Sequence, residues 1–363
     1  MRINAITDVL ERFAPPALQE HYDNSGLQVG QRDTDVEAAL VCVDCTEEVV
    51  AEAVQRGCGL IISHHPLIFR GLKGLTGRDH VERTVLALIR NNIALYAIHT
   101  NLDNVIDGVN GEIAERLGLK VERVLEPKPD QLRKLVVFVP EKQAETVRQA
   151  MFDAGAGRIG HYDECSYNFQ GQGTFRALEG ANPFVGTVGQ RHQEPEMRIE
   201  VVIDAARERA IVQAMKAVHP YEVPAFDIHP LLNRNNEVGA GVVGMLAAPL
   251  TPPQFLNHLK RVFGTGAIRH TALPGSLIHR VAACGGSGSS LIGAARASGA
   301  DAFVTADLKY HQFFEGEGLL LCDVGHYESE QFTMHLLRDR LKASLPTFAV
   351  HLTGTSTNPV HYS

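Results

Sequence analysis

The sequence lacks long apolar runs. No stretch of its 363 residues reaches the ~20 consecutive apolar residues that a membrane-spanning helix needs. Near the N-terminus, Asp8, Glu11 and Arg12 interrupt the chain too early for the apolar region of a signal peptide. We therefore expect a cytosolic protein without a membrane partner.

Positive charge is also scarce. Lysine and arginine together number 34 against 42 aspartates and glutamates, for a net charge of -8. The sequence has neither a long basic run nor a stripe of alternating aromatic and basic residues. This balance disfavours non-specific binding to nucleic acid or to an anionic membrane surface.

Cysteine is limited to six residues, several of them inside apolar runs. Cys42, Cys284 and Cys322 have this setting and are predicted to be buried, reduced thiols. Cys42 and Cys45 have CxxC spacing, but no second pair follows, so we do not predict a zinc or redox site there.

The overall composition, 44% apolar and 21% charged, is typical of a globular protein, and the length predicts two or three packed units. Strand-like and helical patterns alternate over residues 1–125 and again over 235–363. They predict two parts of one α/β core with mixed sheets. Residues 126–234 instead follow the order β-α-β-β-α-β, which predicts an inserted ferredoxin-like domain.

Three strand-like segments end in histidines and carboxylates. Residues 63–66 read Ser-His-His-Pro, residues 99–103 read His-Thr-Asn-Leu-Asp, and residues 325–330 read Gly-His-Tyr-Glu-Ser-Glu. Loops that follow strand ends are where ligand sites gather in open α/β sheets. Imidazole and carboxylate together are a ligand set for zinc or another transition metal.

Each pattern by itself has an ordinary alternative. Adjacent residues on a strand point to opposite faces, so His64 and His65 can serve one cluster only where Pro66 ends the strand; otherwise they would bind two neighbouring metals, or one would be buried and one exposed. Asp103 is expected in a loop, where it could be a turn or cap residue.

A second pair lies on a predicted helix. His326 and Glu330 are four residues apart and share a helix face, which suits a metal but is also common in surface pairs. Glu328 would point elsewhere and is expected to be solvated.

Considered together, five residues at three strand ends predict one metal site. They are His64, His65, Asp103, His326 and Glu330. Five ligands exceed the three protein ligands and one water of a catalytic zinc. A carboxylate that bridges two ions would use all five, and Glu330 is the candidate bridge. Two metals ~3.5–4 Å apart can generate hydroxide at neutral pH and clamp a reacting centre.

Six further residues are candidates for contact with substrate or for support of the ligands: His99, Gly286, Ser287, Gly288, Asp307 and His311. The glycine-serine run at 285–290 lies between a predicted strand and a predicted helix. Its backbone N–H groups would cradle an anion, or the run is simply a tight turn.

Several motifs jointly resemble the GTP cyclohydrolase 1 type 2 family, also called NGG-interacting-factor-3-like. They are Tyr-Asp-Asn-Ser-Gly-Leu-Gln-Val-Gly at 22–30, the three strand-end motifs, Gly-Gly-Ser-Gly-Ser-Ser at 285–290 and Ala-Asp-Leu-Lys-Tyr-His at 306–311. Ala306 stands where the family pattern has glycine. Residues 155–160, 173–175 and 219–222 resemble the PII/CutA-like domain inserted in some bacterial members.

The resemblance implies two divalent metal ions per subunit, on His64, His65, Asp103, His326 and Glu330. Zinc is the first expectation, with iron, manganese and nickel as alternatives. It also implies a toroidal homohexamer and a nucleotide ligand, with GTP ring opening by metal-bound hydroxide and proton transfer by His99 or His311. The alternative is a non-catalytic, metal-binding or regulatory hexameric assembly without cyclohydrolase activity.

Overall fold

A computed structural model describes residues 1–362. The chain forms two compact units, one made of Met1–Pro127 and the residues from Asn236 onward, the other of Lys128–Asn235. No helix in the described part of the chain is long and apolar enough to cross a bilayer.

The elements of the first stretch are α1 (Ile3–Phe13), β1 (Gly26–Val29), β2 (Ala38–Cys42), α2 (Glu47–Gln55), β3 (Leu60–Ser63), α3 (His80–Arg90), β4 (Ala94–Ala97), α4 (Thr100–Asp103), α5 (Val109–Leu117) and β5 (Leu119–Pro127). The second unit contains β6 (Leu132–Pro140), α6 (Ala144–Asp153), β7 (Ser166–Arg176), β8 (Arg191–Asp204), α7 (Glu208–Val218) and β9 (Phe226–Leu231). The last stretch contains β10 (Gly239–Leu250), α8 (Pro252–Phe263), β11 (Arg269–His270), β12 (Ile278–Ser287), α9 (Ile292–Ala297), β13 (Ala302–Ala306), β14 (Leu320–Asp323), α10 (His326–Glu330), α11 (Thr333–Ser344) and β15 (Ala349–Leu352).

The first unit contains two mixed sheets, as the alternating pattern predicts. One has the order β1-β4-β3-β2-β15, in which only β1 runs antiparallel to its neighbour. The other has the order β11-β14-β13-β12-β10-β5, with β12, β13 and β14 parallel to one another. The carboxyl ends of β3, β4 and β14 precede the three motifs that carry histidine.

The strands that lead to these motifs are buried on both faces. Every residue of β3, β4 and β14 is buried, which explains why their sequences are nearly continuous apolar runs. Ile62 of one sheet and Val304 of the other belong to the same hydrophobic core. This packing gives the loops at the strand ends a rigid base.

The second unit has one antiparallel sheet in the order β7-β8-β6-β9. Its core joins strand residues such as Leu135 and Ile199 to Val147 of α6 and Met215 of α7. β7 is one continuous strand of 11 residues, which pairs with β8 along its whole length.

Candidate metal centre

The double histidine begins where β3 ends. The backbone N–H groups of His64 and His65 donate to the carbonyl oxygens of Cys42 and Val43, so the chain stays beside β2 for two more residues. The two imidazole rings lie with centroids 4.9 Å apart and an interplanar angle of 39°. The end of the strand thus allows both neighbouring side chains to reach one cluster.

Asp103 lies in the short helix α4 rather than in the loop expected from the sequence. The Asp23 carboxylate fastens the start of this helix, because it accepts hydrogen bonds from the backbone N–H and the hydroxyl of Thr100. Asn101 donates from Nδ2 to the carbonyl oxygen of Ala14 at 2.7 Å. These contacts hold α4 in place beside the double histidine.

His326 and Glu330 lie one turn apart on α10, directly after β14. His326 Nε2 is 3.0 Å from Glu330 Oε2, so the two side chains share a helix face. The expectation that Glu328 is solvated is wrong. Its side chain is buried, and Asn358 Nδ2 donates to its Oε1 at 3.0 Å.

The five residues from three strand ends converge. His64 Nε2 lies 3.8 Å from Asp103 Oδ1 and 3.8 Å from Glu330 Oε1. His65 Nε2 lies 2.9 Å from Glu330 Oε2 and 3.3 Å from His326 Nε2. The ligand atoms of His64, His65 and Glu330 all lie within 4.8 Å of one another, so these three side chains could hold a metal ion.

Glu330 is the centre of this cluster. Only 3% of its surface is exposed. Its two carboxylate oxygens face different partners, Oε1 towards His64 and Oε2 towards His65 and His326. The cluster therefore divides into two sets of side chains that share one carboxylate.

A carboxylate orients the ring of each histidine that faces Glu330 Oε2. His65 Nδ1 is hydrogen-bonded to Asp44 Oδ1 at 2.7 Å, and His326 Nδ1 to Asp307 Oδ2 at 2.7 Å. These bonds leave both Nε2 atoms directed at the cluster, which is the usual arrangement around a metal-ligating imidazole. The Thr357 hydroxyl, near the C-terminus, donates to the other oxygen of Asp44 at 2.9 Å.

The same arrangement orients the two remaining histidines. His64 Nδ1 lies 2.9 Å from the carbonyl oxygen of Ile98, and His99 Nδ1 lies 2.7 Å from Asp23 Oδ1. The His99 ring centroid is 5.4 Å from those of both His64 and His65. His99 is therefore a neighbour of the cluster, and its Nε2 makes no hydrogen bond to any other described residue.

The electrostatics of the cluster favour positive charge. Burial opposes the imidazolium form of His65, but hydrogen bonds to Asp44 and Glu330 outweigh it and raise its pKa to about 10. Burial likewise opposes ionisation of Glu330, but the surrounding imidazoles hold its pKa well below the usual value. For His326, hydrogen bonds to carboxylates overcome burial and raise the pKa to about 9.

Two buried polar atoms of the cluster lack hydrogen-bond partners in the described part of the chain and are placed to bind a metal ion. His64 Nε2 and Asp103 Oδ1 are buried and have no hydrogen-bond partner among residues 1–362. Their separation of 3.8 Å is too long for a hydrogen bond but suits two ligands that are each ~2.1 Å from one ion. Unpaired buried polar atoms are costly, so a cation between them resolves the cost.

The glycine-serine run has a different role from the anion cradle considered above. β12 continues through Gly286 to Ser287, and only then does the chain turn. The N–H groups of Gly286 and Gly288 already donate to the hydroxyls of Ser329 and Thr305, so they do not face a ligand. Gly286 has a positive φ of 57°, and a Cβ there would lie 2.3 Å from Glu330 Oε1. The run thus makes room for Glu330.

The remaining candidate residues fall into two groups, one in contact with the cluster and one exposed. Asp307 contacts the cluster through His326 and has a left-handed φ of 57°. Ser287 and His311 are exposed, and the His311 ring packs beside Tyr310 and not beside the cluster. Sequence reasoning also missed two carboxylates, those of Asp23 and Asp44.

The fold and the cluster define a class of protein, an α/β protein with buried imidazole and carboxylate groups able to hold metal at the ends of its strands. The chain belongs to the Duf34/NIF3 (NGG1p interacting factor 3) family, whose model matches residues 1–359. The resemblance inferred from the sequence motifs is confirmed.

Individual relatives agree with this assignment. A protein of Halalkalibacterium halodurans named GTP cyclohydrolase 1 type 2 homolog is 37% identical over 324 residues, which cover 88% of this chain and 87% of the relative. A Bacillus subtilis protein of the same name is 38% identical over 325 residues, covering 89% and 87%. The crystal structure of a Bacillus cereus protein related to NIF3 has a TM-score of 0.88 and 36% identity, and the match covers 100% of this chain and 99% of that one.

Proposed function

We propose that the protein binds two divalent metal ions and is a metal-dependent hydrolase that acts on a nucleotide. The observation that carries the proposal is the division of the Glu330 carboxylate between two sets of ligands. His64 and Asp103 would hold one ion with Oε1, and His65 and His326 the other with Oε2. Zinc is the first expectation, because imidazole and carboxylate suit it, and iron, manganese and nickel are alternatives.

Bound metal ions would supply Lewis acidity and a lowered pKa for a water molecule, the usual contributions of a two-metal site. The chain itself supplies a proton carrier. Asp23 fixes Nδ1 of His99, which leaves Nε2 able to accept or donate a proton beside the cluster. His99 is therefore the proposed general acid or base, and Asp23 positions it.

Two aromatic side chains support a substrate with a planar ring. Phe69 lies beside His99, with ring centroids 6.4 Å apart, and Tyr22 lies 6.4 Å beyond Phe69. Both rings are more than 40% exposed. Exposed rings next to a reactive centre offer surfaces on which a purine could stack. The names of the relatives support GTP as the first substrate to test.

The direct test is release of formate and formation of a fluorescent pterin from GTP by the purified, metal-loaded protein. Wild type and the control His80→Ala, which alters an exposed histidine on α3, are expected to give product. His64→Ala is expected to give none. If wild type yields no more formate than His64→Ala, the proposed ring opening is wrong.

A second candidate is a non-catalytic, metal-binding or regulatory assembly. It is favoured by the engagement of the Gly286 and Gly288 N–H groups, which are two of the donors that an anion cradle at residues 285–290 would use. The order β7-β8-β6-β9 also supports an inserted ferredoxin-like domain, related to the PII/CutA type, in residues 128–235. Ions that resist chelators until the protein unfolds would favour this role, whereas readily exchanged ions would favour catalysis.

A homohexameric ring is part of both proposals. Native mass spectrometry is expected to give a particle of six times the 39.6 kDa chain. A stable monomer or dimer at micromolar concentration would contradict the hexamer without bearing on the metal site.

A further inference from the structure

A cavity of about 880 Å³ lies within residues 128–235. Phe138 lines it, whereas its neighbours Val137 and Val139 belong to the hydrophobic core under the helices. Because side chains alternate along a strand, the cavity occupies the face of the sheet opposite α6 and α7. Its size is within the usual range for small-molecule sites. Neither the metal centre nor its proposed chemistry involves it.

One half of the cavity already contains a cation of the chain. The Arg198 guanidinium lies 5.9 Å from the ring centroids of both Phe138 and Phe169. Glu200 Oε1 lies 2.8 Å from Arg198 Nη2, and Glu200 Oε2 lies 2.9 Å from Lys134 Nζ, so the two cations share this carboxylate. This half therefore pairs aromatic rings with a positive charge that is only partly offset.

The other half contains a buried carboxylate without a counterion. Glu196 is only 8% exposed, and the Tyr221 hydroxyl donates to its Oε1 at 2.8 Å. Within residues 1–362, no lysine, arginine or histidine lies within ion-pair distance of it. Gly173 faces it so closely that a Cβ would lie 2.2 Å from Oε2. The carboxylate of Glu222 lines the same cavity.

His219 does not supply the missing charge. Its Nε2 donates to the carbonyl oxygen of Phe138 at 3.0 Å, and its Nδ1 accepts from the backbone N–H of Tyr221 at 3.1 Å. One donor and one acceptor define a neutral imidazole. Burial also lowers its pKa. His219 instead fixes Tyr221 against Glu196.

Three aromatic rings line the same cavity as Glu196, those of Phe175, Phe184 and Tyr221. Phe175 and Phe184 lie 6.0 Å and 6.4 Å from Tyr221, at interplanar angles of 60° and 54°. All three rings line the cavity, so each presents surface to a ligand there. Aromatic faces beside a carboxylate are the usual recognition elements for organic cations.

We propose that this half of the cavity binds a small organic cation, an alkylated ammonium group on an apolar body. The cation would pair with Glu196 and lie against the faces of Phe175, Phe184 and Tyr221, as Arg198 does against Phe138 and Phe169. A neutral ligand would leave a buried charge uncompensated, and an anion would meet two carboxylates. The motifs at 173–175 and 219–222, which the metal centre does not use, would then build this site.

The test compares choline with its neutral isostere 3,3-dimethylbutan-1-ol on the full-length protein by ligand-observed NMR titration. Choline is expected to bind saturably, and the alcohol at least ~10-fold more weakly, since a hydrogen-bonded buried charge contributes about that factor or more. Glu196→Gln keeps the shape of the side chain and is expected to weaken choline by the same factor. Glu145→Gln, an equal charge change at an exposed position of α6, is expected to leave choline binding within about twofold.

A second variant protects the test against misfolding. Phe184 is 52% exposed, so Phe184→Leu can be made without opening the core, and it is expected to weaken choline about threefold. The proposal is overturned if choline and the alcohol bind equally, if neither binds saturably, or if Glu145→Gln weakens choline as much as Glu196→Gln does.

Discussion

Replacing Glu330 with glutamine isolates the charge of the shared carboxylate, because glutamine keeps nearly the same shape. Glu330 is 3% exposed and lies within 3.8 Å of three imidazole Nε2 atoms. Removing one charge from a buried ionic cluster costs about 3–5 kcal/mol. At about 1.4 kcal/mol for each factor of ten, metal affinity should fall roughly 10²- to 10⁴-fold. Since its oxygens face both ligand sets, both ions should be weakened.

The assay is metal content by mass spectrometry after dialysis against a graded series of chelator concentrations. Wild type is expected to hold two ions per chain, and Glu330→Gln none at chelator levels that spare wild type. Asp103→Asn is expected to lose only the ion on the His64 side, because Asp103 lies 3.8 Å from His64 Nε2. Glu315→Gln changes an exposed glutamate and should behave as wild type.

The reasoning is refuted by either of two results. One is the retention of two ions at wild-type affinity by Glu330→Gln, and the other is the loss of the same single ion from Glu330→Gln as from Asp103→Asn. Thermal unfolding of each metal-free variant checks that the fold is retained, so that a lost ion reports on the ligand and not on misfolding.

Four further outcomes are expected. Metal affinity should rise with pH and level off above about 10, because metal ions must displace protons from two histidines. Despite burial, hydrogen bonds to carboxylates raise the pKa of His65 to about 10 and that of His326 to about 9. Calorimetry in buffers of different ionisation enthalpy measures the released protons. In the metal-free protein, those protons should stabilise the fold fully below pH ~6.5 and progressively less as pH rises through 9 and 10, which unfolding midpoints against pH will check. Asp44→Ala should weaken metal about 10- to 100-fold in the chelator titration, since it frees the His65 ring, and an unchanged affinity would contradict that role. Gly286→Ala should lower metal content because its Cβ would meet the shared carboxylate, whereas Gly293→Ala, with open space around it, should not; equal metal content in both would count against the steric argument.

The strand-end rule predicted the metal-site candidates because buried parallel strands deliver their last residues to one edge of a sheet. The same rule could have found Asp44, which follows the end of β2 by two residues. It could not have found Asp23, which follows no strand and meets His99 only through a contact 76 residues along the chain. Contacts at such separations are set by tertiary packing, which local patterns do not encode.

Two other features of the structure differ in whether a local sequence pattern signals them. Thr251 and Gln254 form a capping box around Pro252, a signal in the sequence that marks the start of α8. The burial of Glu328 had no such signal. Its partner Asn358 comes from the chain beyond the last strand, and helical periodicity alone placed Glu328 in solvent.

The segment that follows β15 holds parts of the candidate metal centre in place through hydrogen bonds. Thr357 supports the carboxylate that orients His65, and Asn358 supports the helix that carries His326. Trimming of residues 357 and 358 by a carboxypeptidase would therefore disturb imidazole groups far away in the sequence. Recombinant preparations intended for elemental analysis should therefore be checked by mass for the presence of both residues.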